Sequence, residues 1–452
     1  MANKPTSGLK DLTQERREYA ARCLILLMAA ASAVCAVMST VSFSPIIGVV
    51  AQEQRVDLGS ASFAFIGAPT FAMALGMAIF GFVIDRLGVI CIVVGSLVAL
   101  IVSNAVVPVF GHDYVAMLII RLVQGLCSAG LMVSITPAIA RWFPQDKIGR
   151  AMALPSIGAG IGMIVGLNAA PLFIQNFGSW QLGSVMLAAV AAVALTIAAF
   201  AARLTGRLDS SVLVRPGEKP TRAVNFARFP IFWSGLAVAA LACWANMSFS
   251  DLTPGFLSVK PPVGVGYGPQ QAGGLMSLVA LSSVAGAPLA GFLMDKVFRR
   301  QNRVVILLGF LLSAAAYTAI LSPAIHNQKG VLAATLLLGG LAIPFVNVTL
   351  MSIAAKTLAV DLVGRVCGLW MSISFFAGAF GVVVGSFALK TSGNYWLSLA
   401  IVGTASVMGF FVAMLLPRNG ADRDGPIAST TAGAQEIHGR SLSSGANFKE
   451  ML

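Results

Sequence analysis

The chain has 452 residues, 57% of them hydrophobic and only 10% charged, with a mean hydropathy of +0.86. A soluble domain carries about a quarter charged residues, so the composition excludes one. The formal charge of +13 would suit a nucleic-acid partner, and the placement of the basic residues decides that point below.

The first twenty residues are polar, with Lys4, Lys10, Arg16 and Arg17. The apolar run behind them is too long for a signal-peptide core and lacks a convincing cleavage site, so it reads as an uncleaved first span. A hydrocarbon core of about 30 Å takes about 20 helical residues. That ruler predicts an all-α membrane protein with twelve transmembrane helices. The first six are Cys23–Val50, Ser60–Ile84, Val89–Phe110, Tyr114–Ala140, Ala151–Phe173 and Leu182–Ala201. The second six are Pro230–Leu257, Ala272–Met294, Val304–Pro323, Gly330–Ala355, Val366–Leu389 and Tyr395–Leu416. The expected domains are a cytoplasmic tail (1–22), a six-helix bundle (23–202), a basic cytoplasmic linker (203–229), a second six-helix bundle (230–416) and a tail (417–452). That last tail is rich in Gly, Ala, Ser and Thr, without helical periodicity, and is expected to be disordered.

With the amino end placed in the cytoplasm, 25 of the 30 basic residues fall on the cytoplasmic side. Arg55, Lys260, Lys329 and Lys390 fall outside, and Arg121 alone lies within a span. This is the positive-inside asymmetry of a multi-pass protein with both termini in the cytoplasm, as in a bacterial inner membrane. It accounts for the net charge without nucleic acid. Cys23, Cys35, Cys91, Cys127, Cys243 and Cys367 all sit in apolar runs with no CxxC spacing, so neither disulfides nor a metal site is expected. His112 and His326 fall in outer loops, and no catalytic or cofactor-binding constellation emerges. An enzyme and a cofactor are therefore not expected.

The chain repeats itself. Gly81-Phe-Val-Ile-Asp85-Arg86-Leu-Gly88 closes one apolar run and opens the next, and the phrase returns as Gly291-Phe-Leu-Met-Asp295-Lys296. Gly76 returns as Gly286. Ala36, Met38, Ser39 and Pro45 recur as Ala245, Met247, Ser248 and Pro254, and Gly149-Arg150 as Gly364-Arg365. Two parallel repeats of six spans are an established transporter plan, so the two halves are expected to be pseudo-symmetric.

Span four carries Arg121-x-x-Gln124-Gly125-x-Cys127-x-Ala129-Gly130. Arg121 is about seven residues inside the span, roughly 10 Å deep at 1.5 Å per residue. A cation there is costly, and such residues face a cavity or the bundle interior. No acidic residue is expected deep in a span, so its counter-charge is water, backbone carbonyls or a visiting anion. Asp251, late in span seven, matches Ser42 of the first half; a solvated residue at the outer mouth and a pairing or proton-coupling group are both open. Gly158-x-Gly160-x-Gly162-x-x-x-Gly166 in span five is read as close helix packing, not as a nucleotide loop, since no strand precedes it. Ser39, Ser42, Asn168, Asn246, Ser248, Ser250, Asn347 and Thr349 are polar groups that could face a cavity, with Trp244, Trp370 and Phe375 as apolar walls. Asn347 follows Pro344, which removes a local backbone bond.

These residues resemble the major facilitator superfamily over nearly the whole chain. Gly81-x-x-x-Asp85-Arg86-x-Gly88 is similar to the family's motif between spans two and three. Val89 and Ile90 stand where two basic residues are usual, and the second copy keeps them displaced as Arg299-Arg300. The resemblance implies a gating role for Gly81, Asp85, Arg86, Gly88, Gly291, Asp295 and Lys296, with the aspartate holding an outward-open state. A carboxylate at a helix terminus can do this because the N–H groups there lack partners. The Arg121 segment is similar to the family's fourth-span motif. Arg141-Trp142-Phe143-Pro144 with Gly149-Arg150 resembles the loop of its oxalate, monocarboxylate and anion–cation symporter groups. The sugar-porter signature is absent. The Gly-Pro pair of drug antiporters is also missing, since Gly166 and Pro171 are separated by four residues.

The resemblance implies a carrier of a small organic anion, a carboxylate, working by alternating access in a lipid bilayer as a monomer. Proton coupling through Asp251 stays open. The substrate-binding candidates are Arg121, Gln124, Ser39, Ser42, Asn168, Asn246, Asn347 and Trp370. A proton-coupled exporter of amphipathic compounds is the alternative within transport, and a non-transporting membrane sensor is the alternative outside it.

Overall fold

The structure, a computed structural model, describes residues 6–143, 151–205, 230–298, 301–357 and 360–416. Side chains are described for all of these except 6–18, 85, 230, 295, 355–357 and 360–365. The linker and the carboxyl tail expected at 203–229 and 417–452 thus lie almost wholly outside the described residues, whereas the backbone of the amino tail from Thr6 onward is described and continues the first helix.

The described chain is all-helical. Twelve helices are long and apolar enough to cross a membrane. They are α1 (Tyr19–Glu53), α2 (Leu58–Ile84), α3 (Val89–Phe110), α4 (Tyr114–Trp142), α5 (Ala153–Phe177) and α6 (Gln181–Thr205) in the first half. The second half holds α7 (Ile231–Ser258), α8 (Gly268–Phe292), α9 (Asn302–Ala319), α10 (Lys329–Ala354), α11 (Val366–Ser392) and α12 (Tyr395–Ala413). Each span lies within a few residues of its expected place, because hydrocarbon thickness sets helix length before any packing is chosen.

The halves are built alike. In the first, α1 packs on α5 and α6, α2 on α4, and α3 on α4 and α6; in the second, α7 packs on α11 and α12, α8 on α10, and α9 on α10 and α12. The repeated glycines show why. A Cβ at Gly76 of α2 would stand 2.8 Å from the Ala129 side chain of α4, and one at Gly286 of α8 would stand 2.6 Å from Pro344 of α10. The span-five glycines lie against α1 turn by turn: Gly158 on the carbonyl of Ala30, Gly162 on that of Val34 and Gly166 on that of Met38. Lipid offers no hydrophobic drive between helices, so association relies on such close approach.

Two helices are broken where proline interrupts the backbone ladder. The first long helix ends at Val41, a 3₁₀ turn covers Ser44–Ile46, and a short helix, Ile47–Glu53, finishes the span. Pro45 has no N–H to offer Val41, four residues back. In α2, a five-residue π turn, Phe63–Gly67, precedes Ala68–Leu87. Pro69 likewise has no N–H for the carbonyl of Phe65. Both breaks lie toward the far side, meaning the side away from the two chain ends.

On that far side the halves meet along two seams. At one, Gly59 of α2 packs against the backbone of Lys390 of α11, and the hydroxyls of Ser62 and Ser386 are 2.8 Å apart. At the other, Gly273 of α8 packs on the carbonyl of Leu167 of α5, and Asn168 donates to Ser277 Oγ at 2.8 Å. The apolar core follows: Val41 and Leu167 join the second half's cluster, and Val382 joins the first half's. At the opposite, tail side, Gly81 and Gly291 have no atom within 4 Å of a built Cβ, and Phe82 is 81% exposed.

Candidate functional site: a buried charge pair between the halves

Arg121 projects from α4 to the two broken helices and is fully buried. Nε donates to the carbonyl of Phe65 at 2.9 Å. Nη1 donates to the carbonyl of Ser39 at 2.8 Å and to Gln124 Oε1 at 2.7 Å. Nη2 donates to the carbonyl of Thr40 at 3.2 Å. The guanidinium also lies 4.5 Å from the Phe43 ring centroid. Three of the four acceptors are thus carbonyls at the breaks in α1 and α2, where helical partners run out. Four of the five guanidinium N–H groups are used. Those dipoles solvate the charge and do not cancel it.

The counter-charge is Asp251 of α7, in the other half. It is only 5% exposed and is the charged group that Arg121 faces electrostatically. The two make no direct ion pair; among the described residues the one such pair joins His112 and Glu53, at 3.0 Å on the far side. Asp251 Oδ2 instead lies 3.4 Å from Thr70 Oγ1 of α2, and that hydroxyl already donates to Ile66 O at 2.7 Å. The solvated-mouth alternative for Asp251 is therefore set aside by the burial. An acidic side chain does lie enclosed in a span, which the sequence reading did not expect.

The other candidates divide. Gln124 joins the Arg121 cluster through its side chain, Ser39 joins through its carbonyl, and Ser42 donates to that same carbonyl at 3.1 Å. Asn168 lies at the α5–α8 seam, donating also to Ile164 O at 2.8 Å. Asn246 of α7 and Asn347 of α10 line a small cavity inside the second half with Ser313 and Tyr317 of α9. Its free volume, about 10 Å³, holds about one water. Trp370 is packed in the second half's core, its indole N–H bonded to Phe232 O at 3.0 Å and its ring covering Gly235. It does not meet the charge pair.

At the tail side, Gly88 ends its helix at φ +81°, a conformation that glycine adopts without a Cβ penalty. Arg86 is exposed, and Lys296 lies 5.6 Å over the Phe292 ring of its own helix. The side chains of Asp85 and Asp295 lie outside the described set, so their expected gating contacts do too.

Sequence reasoning missed Thr70, Asn104 and the carbonyl of Phe65. Pro69 was a usable signal for the Phe65 carbonyl, since it removes the donor four residues on. Thr70 carries none, because a threonine in an apolar span is ordinary.

Twelve spans in two repeated halves, with a buried charge pair at their interface, define a multi-pass membrane protein of the transporter class. The chain belongs to the Major Facilitator Superfamily, whose sequence profile matches residues 29–301 and 255–449. The "Probable nitrate/nitrite transporter NarK2" of Mycobacterium tuberculosis strain H37Rv is 23% identical over 277 residues, 60% of this chain and 66% of that protein. Monocarboxylate transporter 13 of Bos taurus is 24% identical over 302 residues, 65% of this chain and 66% of that protein. "Probable anion transporter 3, chloroplastic" of Arabidopsis thaliana is 27% identical over 122 residues, 27% of this chain and 23% of that protein. The chain spans just under two thirds of the first two.

Proposed function

We propose that this protein carries a small monovalent anion, a short carboxylate, across the membrane together with a proton, by alternating access. The observation that carries the reading is the Arg121–Asp251 pair, buried at the seam between halves without direct contact. Opposite charges held apart in a low-dielectric interior attract strongly, and here Arg121 is solvated by four acceptors while Asp251 has the one long contact with Thr70. The pair is neutral overall. An anion bound to Arg121 leaves the site one negative charge in excess, and a proton on Asp251 restores neutrality. Anion and proton then move together because either alone leaves a net charge in the interior.

With the far seams closed, Arg121 is sealed. Parting them separates α2 from α11 and α5 from α8, uncovering the guanidinium and the one N–H it has left over. Gln124, Ser39 and Ser42 shape this end of the site. Asn246, five residues before Asp251 on α7 and so about one and a half turns toward the tail side, offers an uncharged amide, as does Asn347 on the same small cavity. Similarity to proteins named for nitrate/nitrite, anions and monocarboxylates supports a small anion and leaves its chemistry to experiment. The basic residues support placing both chain ends in the cytoplasm.

The test is uptake into proteoliposomes of labelled short monocarboxylates and of nitrate, with and without an imposed proton gradient, for wild type and Arg121→Ala. Gradient-driven uptake of a carboxylate that Arg121→Ala abolishes is the expected result. Undiminished uptake by the variant would remove Arg121 as the anion's partner.

A further inference from the structure

We infer that Asn104, near the end of α3, is a positioning residue that sets the direction of the Gln124 amide and through it the placement of the Arg121 guanidinium. The inference rests on the proposed anion site and extends it to a helix that touches neither charge.

Asn104 is 2% exposed, deep among apolar neighbours. Its Nδ2 donates to the carbonyl of Leu100 at 2.8 Å, and its Oδ1 accepts from Gln124 Nε2 at 3.2 Å. Gln124 Oε1 accepts in turn from Arg121 Nη1 at 2.7 Å. Two primary amides in series have no intrinsic polarity, because either could turn over and exchange its oxygen for its nitrogen. Both ends of this series are fixed, however. A backbone carbonyl can only accept and a guanidinium can only donate. Leu100 therefore makes Asn104 present nitrogen to it and oxygen to Gln124, and Gln124 then presents nitrogen to Asn104 and oxygen to Arg121. Ser103 Oγ also donates to Leu100 O, at 3.0 Å, which reinforces the acceptor end.

Without the Asn104 oxygen, the Gln124 amide loses what holds its nitrogen away from Arg121. A turned amide would set N–H against N–H, and Nη1 would lose its Gln124 acceptor. The remaining bonds, to Phe65, Ser39 and Thr40, would keep it in the site but turned. The effect expected is on anion affinity more than on the maximal rate, since the far-side contacts Gly59–Lys390 and Gly273–Leu167 involve neither Asn104 nor Gln124.

The experiment compares labelled-monocarboxylate uptake by wild type, Asn104→Leu and Asn104→Asp in proteoliposomes. Leucine removes both polar atoms at similar volume. A neutral aspartic acid keeps a donor for Leu100 and an acceptor for Gln124, so it preserves the direction. The expected result is an apparent KM raised about tenfold in Asn104→Leu, with the maximal rate within about twofold, and a KM close to wild type in Asn104→Asp at acidic pH. An unchanged KM in Asn104→Leu, or equal impairment of the two variants, would overturn the inference. If the leucine variant gives no folded protein, Asn104→Ala, which also removes the acceptor, is read in the same way. A wild type that carries no anion would sink the proposed function itself, which is a separate outcome.

Discussion

Thr70 of α2 and Asp251 of α7 lie 3.4 Å apart, across the interface of the two halves. The threonine hydroxyl has one hydrogen, which goes to Ile66 at the shorter distance of 2.7 Å. Asp251 therefore gets at most a long, shared hydrogen bond from Thr70. That contact ties the carboxyl of one half to a helix of the other.

Asp251→Asn mimics a protonated carboxyl permanently. The variant is expected to lose the stimulation of uptake by an acid-side gradient while retaining anion exchange. Both are read in proteoliposomes, with a protonophore as control. Full response of the variant to the gradient would place coupling elsewhere.

Gly59→Leu is expected to prevent closure of the far seam. A Cβ there would stand 2.3 Å from the Lys390 Cα, so backbone must move and no rotamer relieves the clash. A cysteine pair at Ser62 and Ser386, whose hydroxyls are in contact, should cross-link under mild oxidant with Gly59 present and fail to do so with leucine. Uptake should fall at least tenfold in the variant. Efficient cross-linking in both would mean the seam tolerates the side chain.

Gly162→Val tests packing rather than transport. Its Cβ would meet the carbonyl of Val34 at 2.4 Å, and overpacking of this kind costs about 1–3 kcal/mol. The melting temperature of the purified protein should drop by several degrees. Gly274→Ala, with no atom within 4 Å of its built Cβ, should leave it unchanged or slightly raised.

Asp57 caps α2, accepting from Ser60 N at 2.8 Å. Its carboxyl is held below the usual range, first by the Ser60 side chain, then by the Ser60 N–H and, more weakly, by the charge of Lys390. A carboxyl whose pKa is lowered on folding contributes stability above its unfolded value, near 3.9, and loses it as pH falls through the folded one. Asp57→Ala should therefore cost about 1 kcal/mol at neutral pH. The gap to wild type should narrow below about pH 4. A pH-independent gap in melting temperature would count against the charged cap.

The number of spans, their ends, their pairing into repeats and the single cation inside them were legible in the sequence. Each follows from a local quantity: hydrocarbon thickness sets helix length, and an isolated arginine in a run of apolar residues is visible without a fold. The glycines of α5 were legible as a packing face for the same reason, since their spacing is the helical one. What Arg121 touches was not. Its acceptors are backbone carbonyls on α1 and α2, which carry no sequence identity, and its counter-charge is 130 positions away in the other half. The enclosure of Asp251 likewise depends on α2 lying across it, and the seclusion of Trp370 on α7 lying against α11. Sequence placed the charges in the membrane; only the docking of one half on the other decided which groups face them, because burial is a property of neighbours that arrive from distant parts of the chain.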